Sequence, residues 1–141
     1  MIQPINRDQA ILSTKSVDAT PMDLQIVTDL LDTLKAHQEE CVGMAANMIG
    51  QTKRIIVVQM GIMPVAMINP KITKKIGPSP KSEGCLSLDG QRTVTRYHSI
   101  TVKYLDQQFK PHTQQFTDFI AQIIQHEVDH CDGVLICTFS L

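Results

Sequence analysis

Residues 126–130 of this chain read HEVDH. On an α-helix, positions i and i+4 project from one face, so His126 and His130 can hold one cation between two imidazoles while Glu127 lies beside the water it carries. A divalent cation lowers the pKa of bound water from about 15.7 towards about 7, which makes hydroxide available at neutral pH. A neighbouring carboxylate accepts the water proton and returns it to a departing amine. The chemistry implied is hydrolysis of an amide-like bond. A copper site built from two His and one Cys is disfavoured, because it leaves Glu127 without a task.

The flanking residues predict the helix that this geometry needs. Phe119, Ile120, Ile123, Ile124 and Val128 recur at helical spacing, Thr117 stands where a cap belongs, and Gly133 follows the end. Catalytic metal sites usually take three protein ligands and keep a position open. Residues 131–141 contain no His and no Glu, only Cys131, Asp132 and Cys137, which points upstream for the third ligand. The upstream candidate is Cys85, within Ser82–Leu88 (SEGCLSL), where Gly84 lets the backbone approach a metal or substrate closely. A cysteine alone is more often a small buried hydrophobe than a ligand. Its flanking motif is what favours the ligand reading.

Three segments in order, CVGMAANM at Cys41–Met48, EGCLS at Glu83–Ser87 and QHEVDH at Gln125–His130, resemble the peptide deformylase motifs GxGxAAxQ, EGCLS and QHExDH. The last two are intact, and the first keeps Gly43, Ala45 and Ala46. The resemblance runs over nearly the whole chain, from PINRD at Pro4–Asp8 to Leu141, and is to the shorter forms that stop soon after the metal helix. It implies Cys85, His126 and His130 as metal ligands, Glu127 as general acid and base, and the backbone N–H of Leu86 as a donor to the reacting oxygen. It also implies that Arg92 positions the peptide backbone or steadies its loop, and that Val42, Gly43, Met48 and Ile123 belong to the substrate cleft. The implied substrate is the N-formyl group of a nascent chain beginning with Met. The implied cofactor is one divalent ion, Fe2+ in the cell, replaceable by Zn2+, Ni2+ or Co2+.

The departures from the motifs matter. Met48 stands where the family carries a Gln whose amide donates to the formyl oxygen, and a thioether has no donor. Loss of one such donor costs about 100- to 1000-fold in rate, so a slowed enzyme is expected. Gln51 is a remote substitute for that amide. Cys41 replaces the first Gly, and Asp89 stands where many relatives have Pro. Two functions follow: a deformylase, and a catalytically weak or inactive deformylase-like protein that binds metal and peptide. Retention of Glu127 favours the enzyme.

The rest of the chain must position these residues. At 141 residues, 43% hydrophobic and 19% charged, it is long enough for one domain, 1–141, with one substantial core. A net charge of −1 carries no nucleic-acid footprint and is compatible with transient ribosome contact. No apolar run reaches a membrane span and the first residues do not resemble a signal peptide, so a cytoplasmic protein is expected. Four cysteines without signs of an oxidising compartment predict no disulfide, and Cys137 in VLICTF reads as a buried strand residue. His37, His98 and His112 lack metal-spaced neighbours and read as surface side chains.

The fold class expected is α+β, with mixed or antiparallel strands packed around the C-terminal HExxH helix and an N-terminal amphipathic helix over 21–39. Thr20 would cap that helix and Pro21 start it, with Leu24, Val27, Leu30, Leu31 and Leu34 on one face. Strands are predicted over Arg54–Gln59, Val65–Asn69 and Lys71–Ile76, and a loop at Gly77–Pro80 (GPSP). Ser99–Leu105 and His112–Phe116 form a predicted hairpin that leads into the metal helix.

Overall fold

The computed structural model describes residues 1–85 and 88–134, without the side chains of 85 and 88–92. A short helix α1 (Gln9–Leu12) precedes α2 (Leu24–Ala36). Strands β1 (Gly43–Ala45), β2 (Ile55–Met60), β3 (Met63–Cys85), β4 (Leu88–Leu105) and β5 (Pro111–Thr117) follow, and then α3 (Asp118–Cys131). The five strands form one sheet in the order of the chain, antiparallel throughout. Such a meander needs only hairpins, which the turn chemistry around Gly61 and Asp106–Lys110 supplies.

Strand β2 explains why two helices are needed. Its IIVV run is buried on both faces: Ile56 and Val58 face a core shared with α3, while Ile55 and Val57 face a core shared with α2. Period-2 alternation sends neighbouring residues to opposite faces, so a continuous apolar run requires cover on each side. The α2 side contains Val27, Leu30, Leu34, Met44, Met48 and Ile68. The α3 side contains Ala45, Met67, Ile100, Val102, Phe116, Ile123, Ile124 and Val128. Each large aliphatic side chain buried this way contributes about 1.5–3 kcal/mol.

The helix expected over 21–39 begins at Pro21 but in two pieces. A 3-10 turn at Pro21–Asp23 leads into α2, with Thr20 Oγ1 accepting from Met22 N at 3.3 Å and Asp23 Oδ2 accepting from Thr20 N at 2.9 Å. Helix α2 stops at Ala36, short of the predicted 39, and Leu24 lies at the exposed edge of its apolar stripe. Helix α3 starts after Thr117, which occupies the cap position without a side-chain cap bond. It ends in a glycine stop: Gly133 N donates to His130 O at 3.0 Å and Val134 N to Asp129 O at 2.9 Å, with Gly133 at φ 73°. A Cβ at Gly133 would lie 2.5 Å from Ser13 O, so this end of α3 is also packed tightly on the N-terminal segment.

Several expectations are corrected. The GPSP segment is not a loop, because Pro78 pairs with Tyr97 and Pro80 with Thr95 within the long β3–β4 hairpin. Beyond Lys71, β3 pairs only with β4 among the described residues, so it has an open edge. Two prolines at alternate positions can turn their missing N–H groups to that edge. Phe119, counted with the apolar face of α3, is 60% exposed. His98 lies within β4 rather than before it, and both it and His112 are exposed, paired with Asp118 at 3.1 Å and Asp106 at 2.8 Å. His37 is half-buried. Cys137 lies outside the described residues.

Candidate metal centre

Helix α3 brings His126, Glu127 and His130 together with their ligand atoms all within 4.8 Å of one another. The two imidazole centroids are 5.0 Å apart and the rings are inclined at 54°. His126 is tied from behind: its Nδ1 lies 2.9 Å from Glu83 Oε1. Burial pushes the Glu83 carboxyl up, but bonds from His126 and Arg96 overcome this and hold it down at about 2. An ionised carboxylate only accepts, so Nδ1 carries the hydrogen and Nε2 is left bare for a cation.

Glu83 is in turn held by Arg96 in a two-point pair, Nε to Oε2 at 2.9 Å and Nη2 to Oε1 at 2.7 Å. Arg96 Nη1 also donates to Asp129 Oδ2 at 2.6 Å, fastening β4 to α3 between the two imidazoles in sequence. Gln125 makes a second fastening, with Oε1 accepting from Tyr97 N and Nε2 donating to Tyr97 O, both at 2.8 Å. At the helix end, Asn47 Nδ2 donates to the carbonyl of His130 at 2.7 Å. Both imidazoles therefore sit on a helix cross-linked to its neighbours.

These residues fit a divalent cation. Burial pushes His130 down to about 3, with the nearby His126 and Arg96 acting in the same direction, so its imidazole is neutral and can ligate. Glu127 is 4% exposed, and its Oε1 has no hydrogen-bond partner among the described residues. An orphaned buried carboxylate oxygen is costly unless a cation or water completes it. Cys131 is a poor ligand, because burial holds its thiol neutral by pushing it up to about 12. The side chains of Cys85 and Arg92, and the whole of Leu86, lie outside what is described. The backbone nevertheless places Cys85 at the end of β3, opposite Leu88, and Glu83 opposite Arg92.

Gly43 has a visible reason to be glycine. A Cβ there would meet Ile123 Cγ2 at 2.7 Å and the Glu127 carboxylate at 3.1 Å, so β1 passes directly over the reactive helix face. Gly43→Ala should displace Glu127 and lower turnover by about 10- to 100-fold, since small misplacements of a reacting group are costly. The check is kcat with metal content measured alongside; an unchanged kcat would show that the contact gives way freely. Of the other cleft candidates, Ile123 is buried beside Gly43 and Val42 is 40% exposed just before β1. Met48 is buried in the α2-side core, and its Sδ accepts from Ala45 N at 3.4 Å. Gln51 is exposed.

Burial raises Glu127 from 4.5 to about 7, with His126 opposing and Glu83 adding to the rise. For a carboxyl raised on folding, the stability it contributes is present below pH 4.5 and lost as pH climbs through about 7. His130 works in the opposite sense between about 3 and 6.5, losing stability as pH falls, so the two effects partly cancel in the metal-stripped protein. They separate in a comparison of wild type with Glu127→Gln. The variant should match wild type near pH 4.5 and exceed it by about 3 kcal/mol at pH 8, at about 1.4 kcal/mol per pKa unit. Chemical denaturation of both proteins without metal at the two pH values tests this, and a constant difference would contradict it.

Glu83, Arg96, Gln122 and Asn47 were not singled out from sequence. Glu83 and Asp129 lie inside the recognised motifs, and a buried carboxylate such as that of Glu83 requires a partner. Nothing in the spacing says that Arg96 grips Glu83.

An HExxH helix with its first imidazole backed by a carboxylate, its acid buried and a strand crossing the cleft defines a metal-dependent hydrolase of amide-like bonds. The polypeptide deformylase family model matches residues 2–138, and the chain belongs to that family. It is 52% identical over 136 residues to a peptide deformylase of Clostridium beijerinckii, covering 96% of this chain and 100% of that one. It is also similar to the crystal structure of the Thermotoga maritima peptide deformylase (TM-score 0.90, 27% identity, 100% and 99% of the two chains). A third likeness is to the Met-Ala-Ser-bound class I type b enzyme of Acinetobacter baumannii (TM-score 0.88, 28% identity, 98% and 99%). No helix among the described residues is long and apolar enough to cross a membrane.

Proposed function

We propose that this chain removes the N-formyl group from the N-terminal methionine of newly made polypeptides. The observation that carries this reading is the clustering of His126, Glu127 and His130 on α3, with Glu83 fixing the first imidazole. His126, His130 and Cys85 would hold the ion. When bound, it supplies the Lewis acidity that makes water nucleophilic at neutral pH and polarises the formyl carbonyl.

The chain's own residues do the rest. Glu127 is a buried carboxyl within reach of the same space as the two imidazoles, where it can take a proton from water and give it back. Glu127 accepts the proton of the attacking water as the C–O bond forms, and delivers it to the amine nitrogen as the C–N bond breaks. Formate and a free N-terminus leave. The backbone N–H of Leu86 donates to the formyl oxygen while charge builds on it. The peptide lies along β1, which pairs only with β2 among the described residues and so offers an unpaired edge. Gly43 lets it come close to Glu127, Val42 and Ile123 flank its first side chain, and Arg92 steadies its backbone. The Met-Ala-Ser-bound relative supports a peptide occupant.

The resident ion is iron(II), the site of action is the cytoplasm, and contact with the ribosome during synthesis is transient. The whole chain, 1–141, acts as one domain. The test is anaerobic formate release from formyl-Met-Ala-Ser by protein loaded with iron(II) or nickel. Release with one ion per chain supports the reading. Full ion occupancy without formate from this or longer formyl peptides would favour a metal- and peptide-binding protein instead.

A further inference from the structure

We infer that Gln122 is a positioning residue of the metal centre, pinning the carboxylate of Glu83 that holds His126. This rests on the metal-centre reading above. Gln122 and His126 are one helical turn apart on the same face of α3, and both reach Glu83. Gln122 Nε2 donates to Glu83 Oε2 at 2.9 Å, the oxygen that also accepts from Arg96 Nε. The other oxygen takes Arg96 Nη2 and His126 Nδ1. A carboxylate has about four acceptor sites, and among the described residues four donors fill them.

The arrangement is asymmetric in a useful way. Glu83 belongs to β3 and Arg96 to β4, so their two-point pair fixes the carboxylate to the sheet. Gln122 fixes it directly to the helix that carries the ligands, without using a ligand to do so. Glu83 accepts only, which turns the Gln122 amide nitrogen towards it and settles the orientation of that side chain. Without Gln122, His126 would be the remaining direct bond from α3 to Glu83 among the described residues, and any turning of that carboxylate would be passed to His126. Partners behind a ligand typically change metal affinity about 10- to 100-fold when lost.

The test compares Gln122→Met, which keeps length and loses the donor, with Gln122→Arg, which keeps N–H donors matched to a carboxylate. The first readout is the rate at which a chelator removes cobalt(II) from the loaded protein; the second is the visible absorption of bound cobalt, which reports ligand geometry. Gln122→Met should release cobalt about tenfold faster with a shifted spectrum, and Gln122→Arg should return both close to wild type. Unchanged release in Gln122→Met, with only a lower Tm of the metal-free protein, would overturn the role and leave Gln122 as packing. So would failure of Gln122→Arg to restore release while the variant remains folded. If wild type takes up no cobalt, nickel or iron, the metal centre itself falls and this role with it, a failure distinct from unchanged release in a variant.

Discussion

Glu127→Gln is expected to lower kcat for formyl-Met-Ala-Ser by about 1000-fold while leaving metal content at one ion per chain. Positioned general acid and base groups contribute about 100- to 10,000-fold. A value inside that range fits one residue that handles the proton both on attack and on departure. The structure makes the substitution a clean one. Glu127 Oε1 has no hydrogen-bond partner among the described residues, so an amide of the same shape breaks no described bond at that oxygen. Glu127 is also not the residue that orients either imidazole; Glu83 does that for His126. The ion should therefore remain, and once stripped of metal the variant should be more stable than wild type above neutral pH. Loss of activity with a gain in stability is the signature of a strained acid kept for chemistry. If the variant keeps turnover within threefold of wild type, Glu127 is not the proton carrier, and another group must accept from water.

How much of this was legible beforehand depends on the range of the interaction. The helix around HEVDH, its glycine stop and the capped start at Thr20 and Pro21 are local, written in residues within a few positions of each other. The β2 run and the hairpin around Asp106 were legible for the same reason. The GPSP segment was not, because proline is read locally as a breaker, whereas its tolerance depends on which edge of β3 lacks a partner. The support of the site was hidden similarly. Glu83 and Arg96 are 13 residues apart, Asn47 and His130 are 83 apart, and only the hairpin and the β1–α3 crossing bring them together. The motif names the candidate ligands, while the residues that hold the two imidazoles still are distributed by topology.

Met48→Gln should raise kcat, by roughly 100-fold at the lower end of the range for one oxyanion donor. The backbone donor proposed at Leu86 would serve both proteins, which argues for that lower end. The geometry at position 48 suggests how a Gln would be oriented. Met48 Sδ already accepts a bond from Ala45 N at 3.4 Å. In the variant, Oε1 can take that N–H more strongly than a thioether does, which leaves Nε2 as the free end of the amide. The cost is a polar group at a position 1% exposed and packed with the α2-side core. An incompletely paired amide there costs about 1–3 kcal/mol, so a lower denaturation midpoint should accompany the faster turnover. The discriminating measurement is kcat at saturating formyl-Met-Ala-Ser, since a donor that acts only on developing charge raises kcat without lowering KM. An unchanged kcat in a folded, fully loaded variant would mean that Met48 withholds nothing from the reaction. The backbone donors would then suffice for the transition state in this chain.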